Sequence, residues 1–216
     1  MAEYIQNDTG VCPYCKRRIH TTYNKVLNLT YRKDLNNQIK LETLNTSTCL
    51  FCDETFRFEA EIFAFDFKHK FAIIVNNEGS QHYYSHLRND IYHLAFGENF
   101  HLRYVNTCLE MIEKVRLFHL SLDDRQIELS KQIYFADIMD NLPEHHRFLF
   151  TDLKGEHLTF TLYDDHDKIV QTKSLEMKKL EEIHINTENK NSPYAEFKHI
   201  GNKWAKEYIN GGIVNE

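Results

Sequence analysis

Two cysteine pairs with metal-ligand spacing stand in the first quarter of the chain, Cys12-Pro13-Tyr14-Cys15 and Cys49-Leu50-Phe51-Cys52. A CxxC turn aims two sulfurs at one point. Two such turns supply the four soft ligands of a tetrahedral zinc site. The 33 residues between the pairs exceed the roughly 15–20 of the simplest two-pair signature. That leaves the coordination chemistry intact and means that more chain folds between the knuckles. The expectation is one structural Zn²⁺ per chain, held by Cys12, Cys15, Cys49 and Cys52. A closed shell of four protein ligands has no open position for water, so it does not make the metal a catalyst. Lys16 and Asp53 follow the pairs, where many knuckles place Gly to turn left-handed, and Asp accepts that conformation better than most residues.

Other residues could carry chemistry beside this quartet. Cys12-Pro13-Tyr14-Cys15 resembles the glutaredoxin active-site tetrad, which would make the protein a thiol-redox enzyme. A dithiol of that kind needs a strand before it and a helix after it, so that the helix N-terminus lowers the thiol pKa. Eleven mostly polar residues precede Cys12, β-prone sequence follows Cys15, and the second pair would go unexplained. Cys108, the odd cysteine, falls at the start of a helical pattern and is expected to be a small buried thiol. Among 13 histidines, His82 and His86 are spaced i, i+4 and His145-His146 are adjacent. No cysteine or well-placed carboxylate accompanies either set, so packing or exposed roles are expected. Asp164-Asp165-His166-Asp167 lacks calcium-loop spacing and reads as a solvated turn. Nucleophile-elbow, HExxH and phosphate-cradling glycine motifs are missing from the sequence.

The elements that would carry the quartet follow from pattern. Ile19–Tyr31 reads as a strand and Asp34–Leu44 as a short helix with Leu35 and Ile39 on one face. Phe56–Ile62 alternates apolar with charged residues, so it predicts a half-buried strand with Phe71–Val75 as its hairpin partner. Phe100–Val105 predicts another strand. Thr107 and Glu110 then form a capping-box pattern ahead of Ile112, Val115 and Phe118. A second cap at Ser121 opens a helix to about Phe135. Phe148–Leu153, His157–Tyr163 and Ile169–Leu175 read as strands, and Asn202–Ile209 as a terminal helix containing the sole Trp, Trp204. Residues 76–99 show no clear periodicity.

Bulk properties bound the function. The chain has 216 residues, 42% hydrophobic and 27% charged, enough to bury about 70% of its unfolded surface without help from a metal. Its net charge is −6. Residues 1–58 hold eight Lys/Arg against six acids, and four thiolates around Zn²⁺ would cancel that excess. Tight binding of duplex nucleic acid, which needs several cations on one face, is therefore not expected. The start of the chain lacks the basic and apolar regions of a signal peptide, and Phe71–Val75 is far too short to span a bilayer. Five cysteines then suggest a reducing, cytoplasmic setting.

In order along the chain, the CPxC knuckle, the second CxxC and the aromatic-rich strand pair are similar to the CpXC domain family. So are Leu102-Arg103-Tyr104-Val105-Asn106, Glu110–Val115, Leu122-Asp123-Asp124-Arg125 and Trp204-Ala205. Leu50 stands where the name-giving pattern has Pro. The resemblance implies four cysteine ligands and a prokaryotic, cytoplasmic protein, and it supplies no reaction. The fold class expected is α+β, with a zinc-ribbon-like N-terminal end continued by an antiparallel sheet with packed helices. Residues 1–140 would form the CpXC-like part, and 141–216 a β-rich extension ending in a helix. The expected role is a non-catalytic interaction module with a protein partner and no membrane. The alternatives are the thiol-redox protein and an enzyme with a site in the aromatic and His-rich stretch 81–104.

Overall fold

A computed structural model describes residues 4–76, 100–185 and 198–211. The chain divides into two compact units, residues 1–112 and 113–216. No helix among the described residues is long and apolar enough to cross a membrane.

The first unit is built on a five-stranded sheet. Strand β1 (Tyr4–Val11) forms a hairpin with β2 (Arg18–Asn28), running from Tyr4 opposite Val26 to Val11 opposite Arg18. Along β2 exposed and buried residues alternate from Arg18 to Tyr23, the period-2 signature of a sheet with one wet face. β1 was not anticipated, because Tyr4–Val11 (YIQNDTGV) has no apolar alternation. Gly10 is needed in it for space: a Cβ there would come within 2.6 Å of the Phe58 ring, which stacks on Tyr23 at 4.9 Å.

Helix α1 (Lys33–Lys40) buries Leu35 and Ile39, as its spacing predicts. The strand expected over Phe56–Ile62 is two strands. β3 (Thr46–Thr48) pairs with β4 (Thr55–Arg57) in a small separate hairpin, and β5 (Ile62–Asp66) joins the main sheet. The partner of β6 (Phe71–Val75) is therefore β5, with Ile62 opposite Val75 and Asp66 opposite Phe71. Asp66 shapes the turn between them, accepting the amides of Lys68 at 2.8 Å and His69 at 3.2 Å.

The sheet order is β1-β2-β5-β6-β7, with β7 at His101–Val105. Pairing within the hairpins is antiparallel, as expected. β2–β5 and β6–β7 are parallel, so the sheet is mixed. Parallel neighbours need a long crossover, and between β2 and β5 the chain makes one through α1 and the β3–β4 hairpin. β6 is buried along its whole length, as befits an interior strand.

Helix α2 (Cys108–His119) spans the division between the units. The expected capping box forms in part: Thr107 Oγ1 accepts the Glu110 amide at 3.3 Å, and Glu110 Oε2 reaches one residue past the cap to the Asn106 amide at 2.8 Å.

In the second unit, α3 (Asp124–Tyr134) starts two residues later than expected. Its cap is Asp123, which accepts the Arg125 amide at 2.9 Å, whereas Ser121 turns left-handed at φ 57°. α4 (Ala136–Asp140) follows after a break at Phe135. β8 (Arg147–Lys154), β9 (His157–Tyr163) and β10 (Ile169–Glu176) form an antiparallel meander in the order β10-β9-β8. Gly155 takes φ 59° in the β8–β9 turn, a conformation that costs Gly least. α5 (Met177–Glu181) and α6 (Asn202–Ile209) complete the unit, both packed on α3.

The core of this unit joins Leu117 and Ile127 to Phe135, Phe148, Phe160 and Trp204. Phe135 lies 5.3 Å from both Phe148 and Phe160, separations at which ring pairs attract beyond their burial. Beside it five charged side chains are buried. Lys131 Nζ reaches Glu113 at 2.7 Å and Glu128 at 3.0 Å; Lys114 Nζ reaches Glu128 at 3.2 Å and Asp124 at 3.3 Å. Glu113 also accepts the Phe150 amide at 2.6 Å, which ties α2 to β8.

Candidate metal centre

Each CxxC pair occupies the loop of a hairpin, the first between β1 and β2 and the second between β3 and β4. The two loops have the same backbone. Cys12 N–H donates to Arg17 O at 2.9 Å and Lys16 N–H to Cys12 O at 3.0 Å; Cys49 N–H donates to Glu54 O at 2.9 Å and Asp53 N–H to Cys49 O at 2.9 Å. Lys16 and Asp53 take φ values of 60° and 59°. These are the left-handed turns expected after the pairs, reached without glycine.

Residues far from the sulfurs bring the hairpins together. Asn45, buried between α1 and β3, accepts the Asn24 amide at 2.9 Å through its side chain and returns a bond to Asn24 O at 3.2 Å. Its carbonyl accepts the Phe58 amide at 2.8 Å. Thr21 on β2 and Ser47 on β3 share a hydroxyl bond of 2.7 Å. Arg57 donates to the carbonyls of Leu44 and Glu42, fixing the approach to the second hairpin. These bonds hold β3–β4 against β2 so that the loops face each other.

The four sulfurs then converge, all within 4.8 Å of one another. Cys12 Sγ lies 3.7 Å from Cys52 Sγ, and Cys15 Sγ lies 3.6 Å from Cys49 Sγ. No disulfide joins them. A tetrahedron with metal–sulfur bonds of about 2.3 Å has edges of about 3.8 Å, so these separations suit a cation at the centre. Cys12 and Cys49 are buried with Ile19 and Phe56, and Tyr14, Cys15 and Cys52 pack against them. The apolar wall encloses Cys12 and Cys49, while Cys15 and Cys52 are half-buried.

The electrostatics fit the same reading. Burial pushes the Cys12 thiol up, but the Cys15 and Tyr14 amides and the neighbouring thiols outweigh it and lower it to about 7. At Cys52 the Glu54 amide pulls downward, yet burial and the thiols of Cys49, Cys12 and Cys15 raise it to about 12. Four thiols this close ionise together only with a cation among them.

The remaining candidates part from the quartet. Cys108 is buried at the first residue of α2, where its amide donates to Glu59 Oε2 at 3.0 Å. His145 is exposed in a left-handed turn and His146 is half-buried with no partner for Nδ1; neither joins a metal-ligand cluster among the described residues. Asp164 forms a turn, accepting the amides of His166 and Lys168 at 2.9 and 2.8 Å. His82, His86 and residues 81–99 of the stretch 81–104 lie outside the described residues.

Sequence reasoning missed the buried ion cluster around Lys114 and Lys131. Its members are charged residues interleaved with the apolar faces of α2 and α3, Lys114 beside Leu117 and Lys131 beside Ile127, and the spacing does not say which of them pair.

A mixed α/β chain with a four-cysteine cluster at the meeting of two hairpin loops is thus the class of protein defined by fold and site. The family described as CpXC protein matches residues 11–131, more than half of the chain and all four cysteines. The chain belongs to that family. No curated protein and no solved structure matches it.

Proposed function

We propose that Cys12, Cys15, Cys49 and Cys52 hold one structural Zn²⁺, and that the protein is a cytoplasmic, non-catalytic interaction module with a zinc-ribbon-like end. The carrying observation is the pair of cross-hairpin sulfur separations, 3.7 and 3.6 Å, with Cys12 and Cys49 buried. Four soft donors in a tetrahedron select zinc over hard cations. The metal supplies charge neutralisation and a crosslink between two hairpins, with no open position at which water could be activated. Zinc per chain by elemental analysis and the X-ray absorption edge test this directly. The expected result is one zinc with four sulfur neighbours. A mixed sulfur–nitrogen shell, or none, overturns it.

The thiol-redox reading loses support from the local fold. A strand, β2, follows Cys15, so no helix N-terminus stabilises a thiolate there. A protein partner is favoured over duplex nucleic acid by charge. Eight bases and six acids in residues 1–58, with a chain total of −6, leave little net attraction for phosphates. Fluorescence anisotropy with duplex DNA should show no submicromolar, steeply salt-dependent binding.

A further inference from the structure

The two knuckles share a backbone and differ at their tips. Pro13 and Tyr14, between the first pair, are half-buried. Leu50 and Phe51, in the equivalent places of the second, are 90% and 55% exposed. Val11, beside the first knuckle, is 55% exposed. Neither Leu50 nor Phe51 offers a metal ligand through its side chain, and a loop chosen for coordination alone has no need of two bare apolar groups there. Lys16, Arg17 and Arg18 are exposed on the first knuckle and form no ion pair among the described residues. Arg17 reaches across, with its guanidinium carbon 4.8 Å from the centroid of Phe51. That contact spends the face of the guanidinium and leaves its N–H edge free to grip a carboxylate.

We propose that this tip is a docking surface for an acidic peptide segment carrying apolar anchor residues. The inference rests on the interaction-module reading and names the partner's chemistry. Leu50 and Phe51 supply the apolar contact, and Arg17 with Lys16 and Arg18 supplies charge complementarity. Asp53 and Glu54 lie on the second knuckle, so the partner's carboxylates face the first. A nucleic-acid strand would use Arg17 and the Phe51 ring but gain nothing from Leu50. Because Arg17 and Phe51 come from different hairpins, the surface exists only while the two knuckles are clamped.

The test is selection of a random phage-displayed peptide library on the full-length zinc-loaded chain, followed by anisotropy titration of the enriched peptides. Enrichment of Asp/Glu with Leu, Ile or Phe is expected. Binding should weaken at least ~10-fold in a Leu50→Ser/Phe51→Ser variant and in Arg17→Ala, with partial rescue in Arg17→Lys. Zinc content of each variant, measured in parallel, should stay at that of the parent. No enrichment, enrichment of basic or neutral peptides, or equal binding to the Leu50→Ser/Phe51→Ser variant overturns the surface. Oligo(dT) that binds the parent and not this variant overturns it in favour of single-stranded nucleic acid. Peptide binding that survives chelation moves docking elsewhere but leaves the module reading standing. A parent chain without sulfur-bound zinc defeats that reading whatever the peptides do.

Discussion

Four sulfurs converge in the unit of residues 1–112 and meet one another and backbone amides. Three carboxylates and two ammonium groups converge in the unit of residues 113–216 and meet one another. Each is a set of buried ionisable groups, and buried charge is costly unless neutralised. The sulfurs all carry the same sign when ionised, so their neutralisation has to come from outside the chain. The second set brings its own counterions, Lys114 and Lys131. On the proposed zinc reading the first set depends on a bound cation, whereas the second is largely matched by side chains of its own.

The largest expected effect follows from that difference. Structural zinc can contribute roughly 10–16 kcal/mol in small fingers with no other core. Removal of the proposed zinc, by chelation or by Cys49→Ser, should open residues 10–57 to hydrogen exchange. Protection at Ile127 and Phe150 should remain, because Phe135, Phe148 and Phe160 build a core of their own. Trp204, the sole Trp and part of that core, gives a second readout whose fluorescence should not change. Loss of protection at Ile127 would break the comparison, since it would make the second unit conditional on the metal too.

Next in size is the converse experiment. Glu128 touches both lysines, at 3.0 and 3.2 Å, and is almost wholly buried. Glu128→Gln removes the carboxylate that both lysines share and leaves each with one partner, Lys131 with Glu113 and Lys114 with Asp124, so it should cost about 1.5–3 kcal/mol. Urea unfolding followed at Trp204 should show that loss while zinc content stays constant. Glu113→Gln should cost less. Glu113 meets one lysine where Glu128 meets two, and a Gln there can still accept from Lys131 and the Phe150 amide. Burial, before the Lys131 charge opposes it, raises the Glu113 carboxyl above its ordinary value. Equal costs for the two variants would show that the lysines do not share their charge as the distances imply.

The sequence carried one of these sets and hid the other, for a physical reason. Cys12, Cys15, Cys49 and Cys52 announce themselves because CxxC spacing is a local constraint on a turn. Lys16 and Asp53 could be marked for a left-handed backbone by the same local logic. Glu113, Lys114, Asp124, Glu128 and Lys131 break into the apolar faces of two helices, and only tertiary pairing says how they are neutralised. Helix starts with explicit caps were legible at Thr107; at α3 the choice between Ser121 and Asp123 turned on one bond to the Arg125 amide. Strand extents failed where alternation outran pairing. Phe56–Ile62 keeps its period across a break because Phe58 is used for stacking on Tyr23, away from any ladder. Polar β1 had no pattern to betray it and is ordered by its hydrogen-bonded partner β2.

The pH response should separate the units further. Burial alone would raise the Glu128 carboxyl, but the Lys131 and Lys114 charges outweigh it and hold it below the ordinary 4.5. A depressed carboxyl stabilises above 4.5, and that contribution is lost as the pH falls through the folded value. Burial would likewise lower Lys131, but Glu113 and Glu128 raise it above 10.5. Its contribution is present below 10.5 and lost as the pH rises through the folded value. Glu113 runs against Glu128: its raised carboxyl contributes below 4.5, and that is lost as the pH climbs through its folded value. Trp204-detected stability should therefore fall on the alkaline side above 10.5, and Lys131→Met should shrink that limb to what the Tyr134 phenol contributes, since burial raises it too. A limb undiminished in the variant would assign it to other groups.

The smallest expected effect lies at the start of α3. Asp123 accepts the Arg125 amide at 2.9 Å and also pairs with the Arg125 guanidinium at 2.8 Å, both groups being partly exposed. An exposed ion pair contributes little, so the cap dominates, and Asp123→Ala should cost about 1 kcal/mol. Ser121 accepts no helix amide in that role and sits at φ 57°, where glycine is relaxed. Ser121→Gly should therefore be neutral or slightly stabilising. Urea midpoints at Trp204 for the two variants decide between the caps: a larger loss in Ser121→Gly would return the cap to Ser121. Zinc content should be the same in both. A change in metal binding from a cap in residues 113–216 would mean that the two sets of buried charge are coupled, which is the one result that the contrast between them does not survive.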